Sequence, residues 1–531
     1  MSPFPPSSRD VLPASPPPSA DVDVLVVGGG PTGLTAAHEA LRHGLTVRII
    51  DRKPEREAIS KALVVHARTM EVFEAMGLDG AVLAEGLPFA ALNVHASRSE
   101  PVRIDMRRLP WGDTSYPFWL SIPQYVTEQI IETRLRAAGT AVEWLVSLEN
   151  LHDHGDHVEA SLAHPTGRIE TVRARWLIGC DGGRSTVRER AGLRLKRSDA
   201  GASFVLADVR TTAPLAHDEG HVHLDRAGLL LIVPMPEPGR RRIIAHMPGA
   251  VPDAPPAVDT AFLDRLIRDR TGIEFGGHDL TWVSRFDLSH GLADRYRRGR
   301  VFLAGDAAHV HSPVGGQGLN TGVQEAHNLL WKLAAADRLD AEAAERLLGS
   351  YEAERRSIAQ RMVKGTARAT GVMTWNLRVA QRLRTTLAPR VISRPSVQAR
   401  LGRQVGMLET AYRGGRPAAG ASAGRRMPNP ELRSGGRIYP RLSGLGHTWV
   451  AWVRPDEPVP DPGDSRWRGL PVLSLTETTL AAGQPWPDEG ERVALVRPDR
   501  YVAAAGTSPE AVWSALQHRG YGTPLGDVRR G

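Results

Sequence analysis

Three glycines and one aspartate near the start of the chain have the spacing of a nucleotide-diphosphate site. Gly28, Gly30 and Gly33 form a G-x-G-x-x-G pattern, and Asp51 follows further along. The first glycine permits a tight turn, the second lets a pyrophosphate approach the backbone, and the third lets a helix pack closely on a strand. An acid at the end of the next strand is placed to accept a hydrogen bond from a ribose hydroxyl. The pattern predicts a dinucleotide site, and both FAD and NAD satisfy its geometry.

The segments around these residues are those that such a site needs. The apolar run 22–27 predicts a strand, residues 34–43 predict a helix with apolar side chains on one face, and residues 46–50 predict a second strand. The N-terminus of that helix would present oriented N–H groups and a partial positive charge to a diphosphate. The segment is therefore predicted to be a β-α-β unit.

Two later stretches distinguish between the two dinucleotides. Residues 180–188 read CDGGRSTVR, here called the Asp-Gly motif. Residues 300–333 read RVFLAGDAAHVHSPVGGQGLNTGVQEAHNLLWKL, here called the Gly-Asp motif. Together with residues 60–78 and 121–135, they resemble the motifs of the class A flavoprotein aromatic monooxygenases, the family of p-hydroxybenzoate hydroxylase, in order and spacing. Within that family the chain resembles the longer members that act on phenols and aromatic polyketides. The resemblance covers residues 22–385 and implies FAD as cofactor and NADPH or NADH as co-substrate.

The resemblance also implies roles for individual residues. Asp306 would hold the FAD ribityl chain, and Asp181 would serve the FAD diphosphate region and NAD(P)H together. Gly315 and Gly316 would border the isoalloxazine ring, where small residues let backbone N–H groups approach closely. The predicted cofactor-binding residues are Gly28, Gly30, Gly33, Asp51, Arg68, Gln124, Asp181, Asp306, Pro313, Gly315, Gly316, Gly318, Leu319 and Asn320.

Some of these residues have additional or alternative roles. Arg68 and Gln124 resemble FAD contacts, and Arg68 is also a candidate for binding the nicotinamide nucleotide. The alternative for Asp181 and Asp306 is that each caps a helix, as aspartate does at many strand-to-helix turns. Glu325 stands where the family usually has aspartate, and it keeps the carboxylate. No catalytic side chain is predicted, because the demanding chemistry belongs to the cofactor.

The implied reaction is hydroxylation of a phenolic or polycyclic aromatic substrate, polyketides included, with NAD(P)H and O₂ through a C4a-hydroperoxyflavin. The same scaffold also supports Baeyer–Villiger oxidation or epoxidation of a polyketide, and the sequence leaves these alternatives open. A third alternative is a non-catalytic carrier or chaperone that keeps the FAD fold. The intact Gly-Asp motif around Asp306 argues against a carrier, because that motif serves the flavin end of the cofactor.

The histidines near these motifs do not predict a metal site. His309 and His311 are two residues apart, a spacing that points apart on a helix, and no third ligand accompanies them or His66. His309 is expected to be a packed residue of the Gly-Asp motif. Cys180 is the only cysteine of the chain and is expected to be a small buried residue.

The pattern along the chain predicts an α/β fold with several units. A Rossmann-like FAD-binding domain over 21–200 and 288–385 would carry an inserted antiparallel-sheet substrate domain over 201–287. A disordered tail would occupy residues 1–20 and a helical connector 386–404. Residues 405–531 resemble a thioredoxin-like C-terminal domain. This domain lacks C-x-x-C, so a structural role is expected instead of dithiol chemistry.

The charge distribution and the apolar content indicate which classes of partner the protein is expected to bind. The net charge of +8 comes from 67 basic and 59 acidic residues that are interspersed, without a basic stripe that would indicate nucleic-acid binding. No apolar run is long enough to span a membrane and the start does not resemble a signal peptide, so a cytoplasmic protein without membrane partners is expected. The predicted partners are a small aromatic substrate and O₂. The oligomeric state stays open.

Overall fold

A computed structural model describes residues 20–58, 62–96, 101–225, 227–247, 258–311, 315–374, 391, 394–412, 421–454, 459, 470–476, 478–481 and 491–518. Residues 1–19 of the predicted tail, Pro313 and the first part of the predicted connector lie outside these residues. Among the described helices, none combines the length and the apolar character that crossing a membrane requires.

The predicted β-α-β unit forms the centre of an eight-stranded sheet. Its first strand, Val22–Val27, lies between the parallel strands Val47–Asp51 and Ile169–Gly179. All but the first of its residues are buried, as expected for a central parallel strand that is covered on both faces. The remaining strands of this sheet are Val142–Trp144, Ser147–Asp153, Val158–Ala163, Arg297–Arg298 and Val301–Leu303.

Helix Pro31–Arg42 follows the first strand and begins with a proline, whose fixed φ suits the first helical position. It packs against helices Gln124–Ala137 and Gln317–Ala336. In the latter helix every residue from 319 to 333 is buried, so it forms the interior of this unit. The other described helices before the C-terminal unit are Ala67–Ala75, Asp79–Glu85, Thr186–Arg190, Thr260–Thr271, Ala341–Thr374 and Pro395–Val405.

A second eight-stranded sheet, here called the inserted sheet, is built around two long antiparallel strands, Leu195–Thr211 and Gly277–Ala293. Glu219–Asp225 pairs in parallel with Ala91–Ala96, whereas the other pairs are antiparallel. The remaining strands are Val102–Asp105, Gly228–Pro234, Arg240–Met247 and His309–Val310. The inserted sheet therefore takes in residues on both sides of 201–287, and the domain limits stay a prediction. Three short strands, Val64–Val65, Leu87–Pro88 and Leu120–Ser121, form a separate small sheet.

The two faces of the inserted sheet have different partners. One face contributes Phe204 and Leu224 to an apolar cluster that includes Ala67, so this face is turned toward the FAD-binding unit. The opposite face packs against helix Thr260–Thr271 through Leu263 and Ile267. The alternation of side chains along each strand separates these two surfaces.

The C-terminal unit contains a four-stranded sheet flanked by helix Pro509–His518, with a 3₁₀ turn at Tyr439–Arg441 preceding it. In chain order its strands are Thr448–Trp452, Val472–Leu475, Val493–Val496 and Val502–Gly506. The second strand lies at one edge, parallel to the first, and the third and fourth continue antiparallel on the other side. This arrangement is thioredoxin-like, as the sequence resemblance implied.

Buried ion pairs connect the C-terminal unit to the helices of the FAD-binding unit. The carboxylate of Glu354 accepts hydrogen bonds from both Nη atoms of Arg497, at 2.6 and 3.0 Å, and from Nζ of Lys332 at 2.7 Å. Burial alone would raise the pKa of Glu354, but the charges of Arg497 and Lys332 outweigh it and hold the pKa well below its ordinary value. The pKa of Glu71 is set in the same way: burial would raise it, but the charges of Arg426 and Arg68 lower it to about 2.

We predict that Glu354→Gln strongly destabilises the folded chain. The substitution leaves Lys332 buried without its carboxylate partner, a change that typically costs about 3–5 kcal/mol. The matched control is Glu345→Gln, because Glu345 pairs with Arg297 but its side chain is 71% exposed. Removing such an exposed pair changes stability by about 1 kcal/mol or less. Denaturant unfolding measures both, and equal losses for the two variants would contradict the structural role of Glu354.

Candidate active site

The glycine turn leaves no room for side chains at two of its three positions. A Cβ atom on Gly28 would overlap the carbonyl oxygen of Cys180, and one on Gly33 would overlap the carbonyl oxygen of Gly28. Gly30 differs, because no atom lies within 4 Å of the position of its Cβ. The first and third glycines are therefore required for packing, whereas the second leaves space for a ligand at the start of the helix.

The surroundings of the turn suit an anionic ligand. Gly30 precedes helix Pro31–Arg42, whose N-terminus has no side-chain cap, so its N–H groups remain available to a diphosphate. At the end of the second strand, Asp51 Oδ2 accepts a hydrogen bond from the Gly29 N–H at 2.6 Å, and Oδ1 accepts one from the Lys53 N–H at 2.9 Å. Asp51 thus connects the strand end to the glycine turn. Its contact with a ribose stays a prediction.

Small residues also bring the other two motifs against this turn. A Cβ atom on Gly28 would lie 2.8 Å from the backbone nitrogen of Asp181, so the Asp-Gly motif packs directly on the first glycine. Gly305, which precedes Asp306, is in contact distance of Thr32 in the glycine-turn helix. The structure therefore assembles three motifs that are far apart in sequence into one surface.

Asp306 lies in a 3₁₀ turn that directly follows the buried strand Val301–Leu303. Among residues 301–309 only Asp306 is exposed. Glu325, which is fully buried, holds the turn: its Oε2 accepts hydrogen bonds from the Gly305 N–H at 2.8 Å and from His309 Nε2 at 3.0 Å. Burial lowers the pKa of His309, but the Glu325 carboxylate outweighs it and raises that pKa. The glutamate that replaces the family's usual aspartate thus positions Asp306.

His66 holds the turn at Gly315 and Gly316, here called the flavin loop because these glycines are predicted to border the isoalloxazine ring. Gly315 and Gly316 have φ values of +88° and +61°, which favour glycine. His66 Nε2 donates to the Gly315 carbonyl oxygen at 2.9 Å, and its backbone N–H donates to Asn320 Oδ1 at 2.9 Å. Asn320 Nδ2 donates to the carbonyl oxygens of Val64 and Gly316. Because burial lowers the pKa of His66 to about 4, the ring is neutral at neutral pH and donates through Nε2–H.

Two further residues of the loop have packing roles in the described part of the chain. A Cβ atom on Gly318 would lie 3.3 Å from His311 Nε2, so glycine keeps the start of helix Gln317–Ala336 close to that ring. Leu319 is 9% exposed and belongs to the main apolar core. Their predicted contacts with the cofactor, like that of Pro313, stay predictions.

Arg68 does not join the other predicted cofactor residues. Its guanidinium is buried, donates to Glu71 Oε2 at 2.8 Å and to the carbonyl oxygen of Asp499 at 2.7 Å, and lies over the ring of Tyr501. These partners direct Arg68 toward the C-terminal unit. The geometry therefore gives no support to the predicted FAD or nicotinamide contact, and it assigns Arg68 to the interface between the units.

Asp181 and Gln124 have local partners. Asp181 accepts hydrogen bonds from Ser185 Oγ at 2.5 Å and from the Val187 N–H at 3.1 Å, and burial raises its pKa. Asp181 thus supports the first turn of helix Thr186–Arg190, whose N-cap residue is Ser185 and not Asp181. Gln124 begins helix Gln124–Ala137 and donates from Nε2 to Glu128 at 2.8 Å. For both residues the cofactor contact stays a prediction.

The positioning role of His66 and the position of Trp119 were not predicted from the sequence. The ring of Trp119 meets His66 edge-on, with centroids 5.9 Å apart, and also meets Phe89 edge-on at 6.0 Å. Within the described residues, Trp119 Nε1 is buried without a hydrogen-bond partner. No spacing rule identifies these contacts, because His66 and Gly315 are 249 residues apart.

A family model described as the FAD binding domain matches residues 21–366, which is more than half of the chain. The chain belongs to this FAD-binding family. Relatives named as monooxygenases, pentachlorophenol 4-monooxygenase of Sphingobium chlorophenolicum among them at 33% identity over 92% of this chain, confirm the class A flavoprotein monooxygenase assignment made from the motifs. FAD is the cofactor of this monooxygenase.

Similar proteins extend the likeness beyond the FAD-binding unit. The monooxygenase is 42% identical over 367 residues to 6-methylpretetramide 4-monooxygenase of Streptomyces rimosus, covering 68% of this chain and 64% of that relative. It is 32% identical over 515 residues to 12-dehydrotetracycline 5-monooxygenase/anhydrotetracycline 6-monooxygenase of Streptomyces rimosus subsp. rimosus, covering 93% and 98% of the two chains. The solved structure of anhydrotetracycline hydroxylase from Streptomyces rimosus superposes with a TM-score of 0.75 at 31% identity, covering 95% and 99%.

The glycine turn supplies a matched pair of variants. We predict that Gly33→Ala forces the turn to move and destabilises the protein by about 1–3 kcal/mol, as overpacking does. Gly30→Ala should leave the thermal stability of the apoprotein unchanged, because its Cβ meets nothing, yet it should weaken FAD by about tenfold or more by occupying the diphosphate approach. Apoprotein melting and FAD titration separate the two effects. Unchanged FAD affinity in Gly30→Ala would place the diphosphate elsewhere.

We expect Asp306→Ala to lose most of its bound FAD, because a charged acceptor for ribityl hydroxyls disappears, a change typically worth about 1–3 kcal/mol. Asp306→Asn keeps one acceptor oxygen and should retain more flavin than the alanine variant. Flavin content after gel filtration and the FAD dissociation constant report the result. Wild-type affinity in Asp306→Ala would exclude the ribityl role.

Proposed function

We propose that this monooxygenase hydroxylates a polycyclic phenolic substrate of the aromatic polyketide class, using NADPH or NADH and O₂. The observation that carries the proposal is the juxtaposition of the FAD surface, formed by the three motifs, with the apolar face of the inserted sheet. Relatives of nearly the same length are named for tetracycline-type compounds, which supports this substrate class.

The wall that faces the FAD-binding unit suits a flat aromatic ligand. Trp119 and Phe286 are half-buried and offer the surface of this wall, and they pack against a buried cluster that contains Phe89, Trp111 and Phe204. Aromatic side chains offer large rigid surfaces for stacking or edge-on contacts with fused rings. Through the edge-on contact of Trp119 with His66, this wall reaches the residue that holds the flavin loop.

Trp119 also offers polar recognition in this apolar wall. Its indole N–H is buried and has no hydrogen-bond partner among the described residues, and leaving a buried donor unpaired is costly. A phenolic or quinone oxygen of a bound substrate would satisfy it. We propose that this donor orients the ring relative to the flavin loop.

When bound, FAD supplies hydride acceptance and oxygen activation, and the residues of this chain position it and exclude water. His66 and Asn320 fix the Gly315–Gly316 turn, while Glu325 fixes the turn that presents Asp306. We propose that Gly28, Gly30 and Asp51 bind the adenosine diphosphate half. No protein side chain needs to act as a nucleophile in this arrangement.

The substrate and the position of the added oxygen are tested by screening fused-ring phenols for stimulated NADPH oxidation, followed by identification of the product. Hydroxylation adds one oxygen to an aromatic carbon, whereas Baeyer–Villiger oxidation inserts it beside a carbonyl and epoxidation places it across a double bond. A colourless purified protein that takes up no FAD would instead support the carrier alternative.

We predict that an aromatic ligand accelerates reduction of the bound FAD. The sequence holds no second nucleotide fingerprint, and the family resemblance implies that substrate binding favours a flavin position that is exposed to NAD(P)H. A ligand that prefers the reactive arrangement by about 2.7 kcal/mol raises the reactive fraction up to about a hundredfold. Anaerobic stopped-flow reduction with and without a validated substrate measures this ratio. Equally fast reduction in both cases would reject control by the substrate.

A further inference from the structure

Three histidines that no motif connects meet on the inserted sheet. His221 and His223 lie two residues apart on strand Glu219–Asp225, so both side chains point to the same face. In the parallel pairing with strand Ala91–Ala96, His95 lies opposite His223, and His221 lies opposite Asn93. His95 is therefore the diagonal neighbour of His221. The sequence alone shows only the H-x-H pattern. Strand pairing places the third histidine, His95, beside the other two.

The ring nitrogens of the three residues are within reach of a common ion. One nitrogen from each ring can be chosen so that all three lie within 4.8 Å of one another. His95 Nε2 and His221 Nδ1 form a hydrogen bond of 3.2 Å, so these two ring nitrogens face each other. The rings of His95 and His223 are stacked, with centroids 4.1 Å apart and planes inclined by 8°.

Two ring nitrogens of the three histidines are buried without a hydrogen-bond partner in the described part of the chain. His223 is buried, and the Nε2 atoms of His221 and His223 have no hydrogen-bond partner within the described residues. Neutral imidazole is the form that binds transition metals. The buried nitrogens therefore present lone pairs or N–H groups that nothing in the described chain satisfies.

We propose that His95, His221 and His223 bind a divalent first-row transition metal ion, with Zn²⁺ the foremost candidate. Three imidazoles with water as the fourth ligand are a common zinc environment. Zinc–nitrogen bonds of about 2.0–2.1 Å in a tetrahedron separate two ligand atoms by about 3.3 Å, close to the distance between His95 and His221. The lone pair lies in the ring plane, so the stacked rings must turn about χ2 to coordinate one ion, and that torsion is broad for histidine.

The ion would join two strands that also form the substrate wall. On the opposite face of the same strands, Val94 and Leu224 belong to the apolar cluster that is turned toward the FAD-binding unit, and Leu92 and Val222 pack against it. A metal bound by His95, His221 and His223 therefore connects strand Ala91–Ala96 to strand Glu219–Asp225 behind that wall. The ion would lie on the face of the sheet that is turned away from the FAD-binding unit.

The test uses untagged, FAD-loaded protein that has been treated with a chelator and then titrated with Zn²⁺ by calorimetry. We expect one ion per chain, and a loss of affinity of about tenfold to a hundredfold or more in His95→Asn and in His223→Asn. The control is His217→Asn, which removes an exposed histidine just before the same strand and should leave zinc binding unchanged. Equal binding by the wild type and both cluster variants would overturn the proposal, because other histidines would then hold the ion.

The histidine variants could fold poorly, which loss of bound FAD would reveal. A second measurement therefore tests the proposal on the wild-type protein alone. Co²⁺ added to the wild-type protein should give the intense visible bands of four-coordinate cobalt, at longer wavelengths than flavin absorption. Excess Zn²⁺ should abolish these bands. The weak spectrum of hydrated Co²⁺ in the wild type would overturn the proposal without any variant.

Discussion

Helix Gln317–Ala336 is buried along most of its length, and buried polar groups must find hydrogen-bond partners. Several polar side chains of the helix therefore bind partners in distant parts of the chain. Asn320 binds the strand that leads to His66, Glu325 binds the turn before Asp306, and Lys332 binds Glu354 beneath the C-terminal unit. Contacts with this one helix thus fix the positions of the flavin loop, the turn at Asp306 and the interface with the C-terminal unit relative to one another.

The inserted sheet shows how a two-residue period serves two surfaces at once. Side chains on one face form the aromatic wall beside the flavin loop, and those on the other face pack against helix Thr260–Thr271 or form the histidine cluster. Because alternate residues of the same strands supply both faces, any constraint on one face is passed to the other through the backbone. Strand Glu219–Asp225 is the clearest case, with Leu224 on the wall side and His223 on the other.

The C-terminal unit has the strand order of a thioredoxin-like domain, yet the chain contains one cysteine, at position 180. Its contribution lies in buried ion pairs instead: Arg497 with Glu354, and Arg426 with Glu71. Removing one partner of a buried pair leaves an uncompensated buried charge. Both pairs must therefore form when the C-terminal unit packs against the FAD-binding unit. Arg68 belongs to this system, which explains why its predicted cofactor contact finds no support in the geometry.

Local spacing determined much of this protein. The glycine pattern and the β-α-β unit follow from residues close together in the chain, because turns, helices and strands obey short-range sterics and periodicity. The choice of FAD and the thioredoxin-like end came from the resemblance of further sequence motifs to a known family. The inserted sheet was foreseen as antiparallel, but not the parallel strand Ala91–Ala96 that joins it. Tertiary structure alone decided that His66 holds Gly315, that Arg68 points to Asp499, and that His95 meets His221 and His223. These contacts join residues remote in sequence, and each depends on which buried partner is geometrically available, a competition that local propensity does not encode.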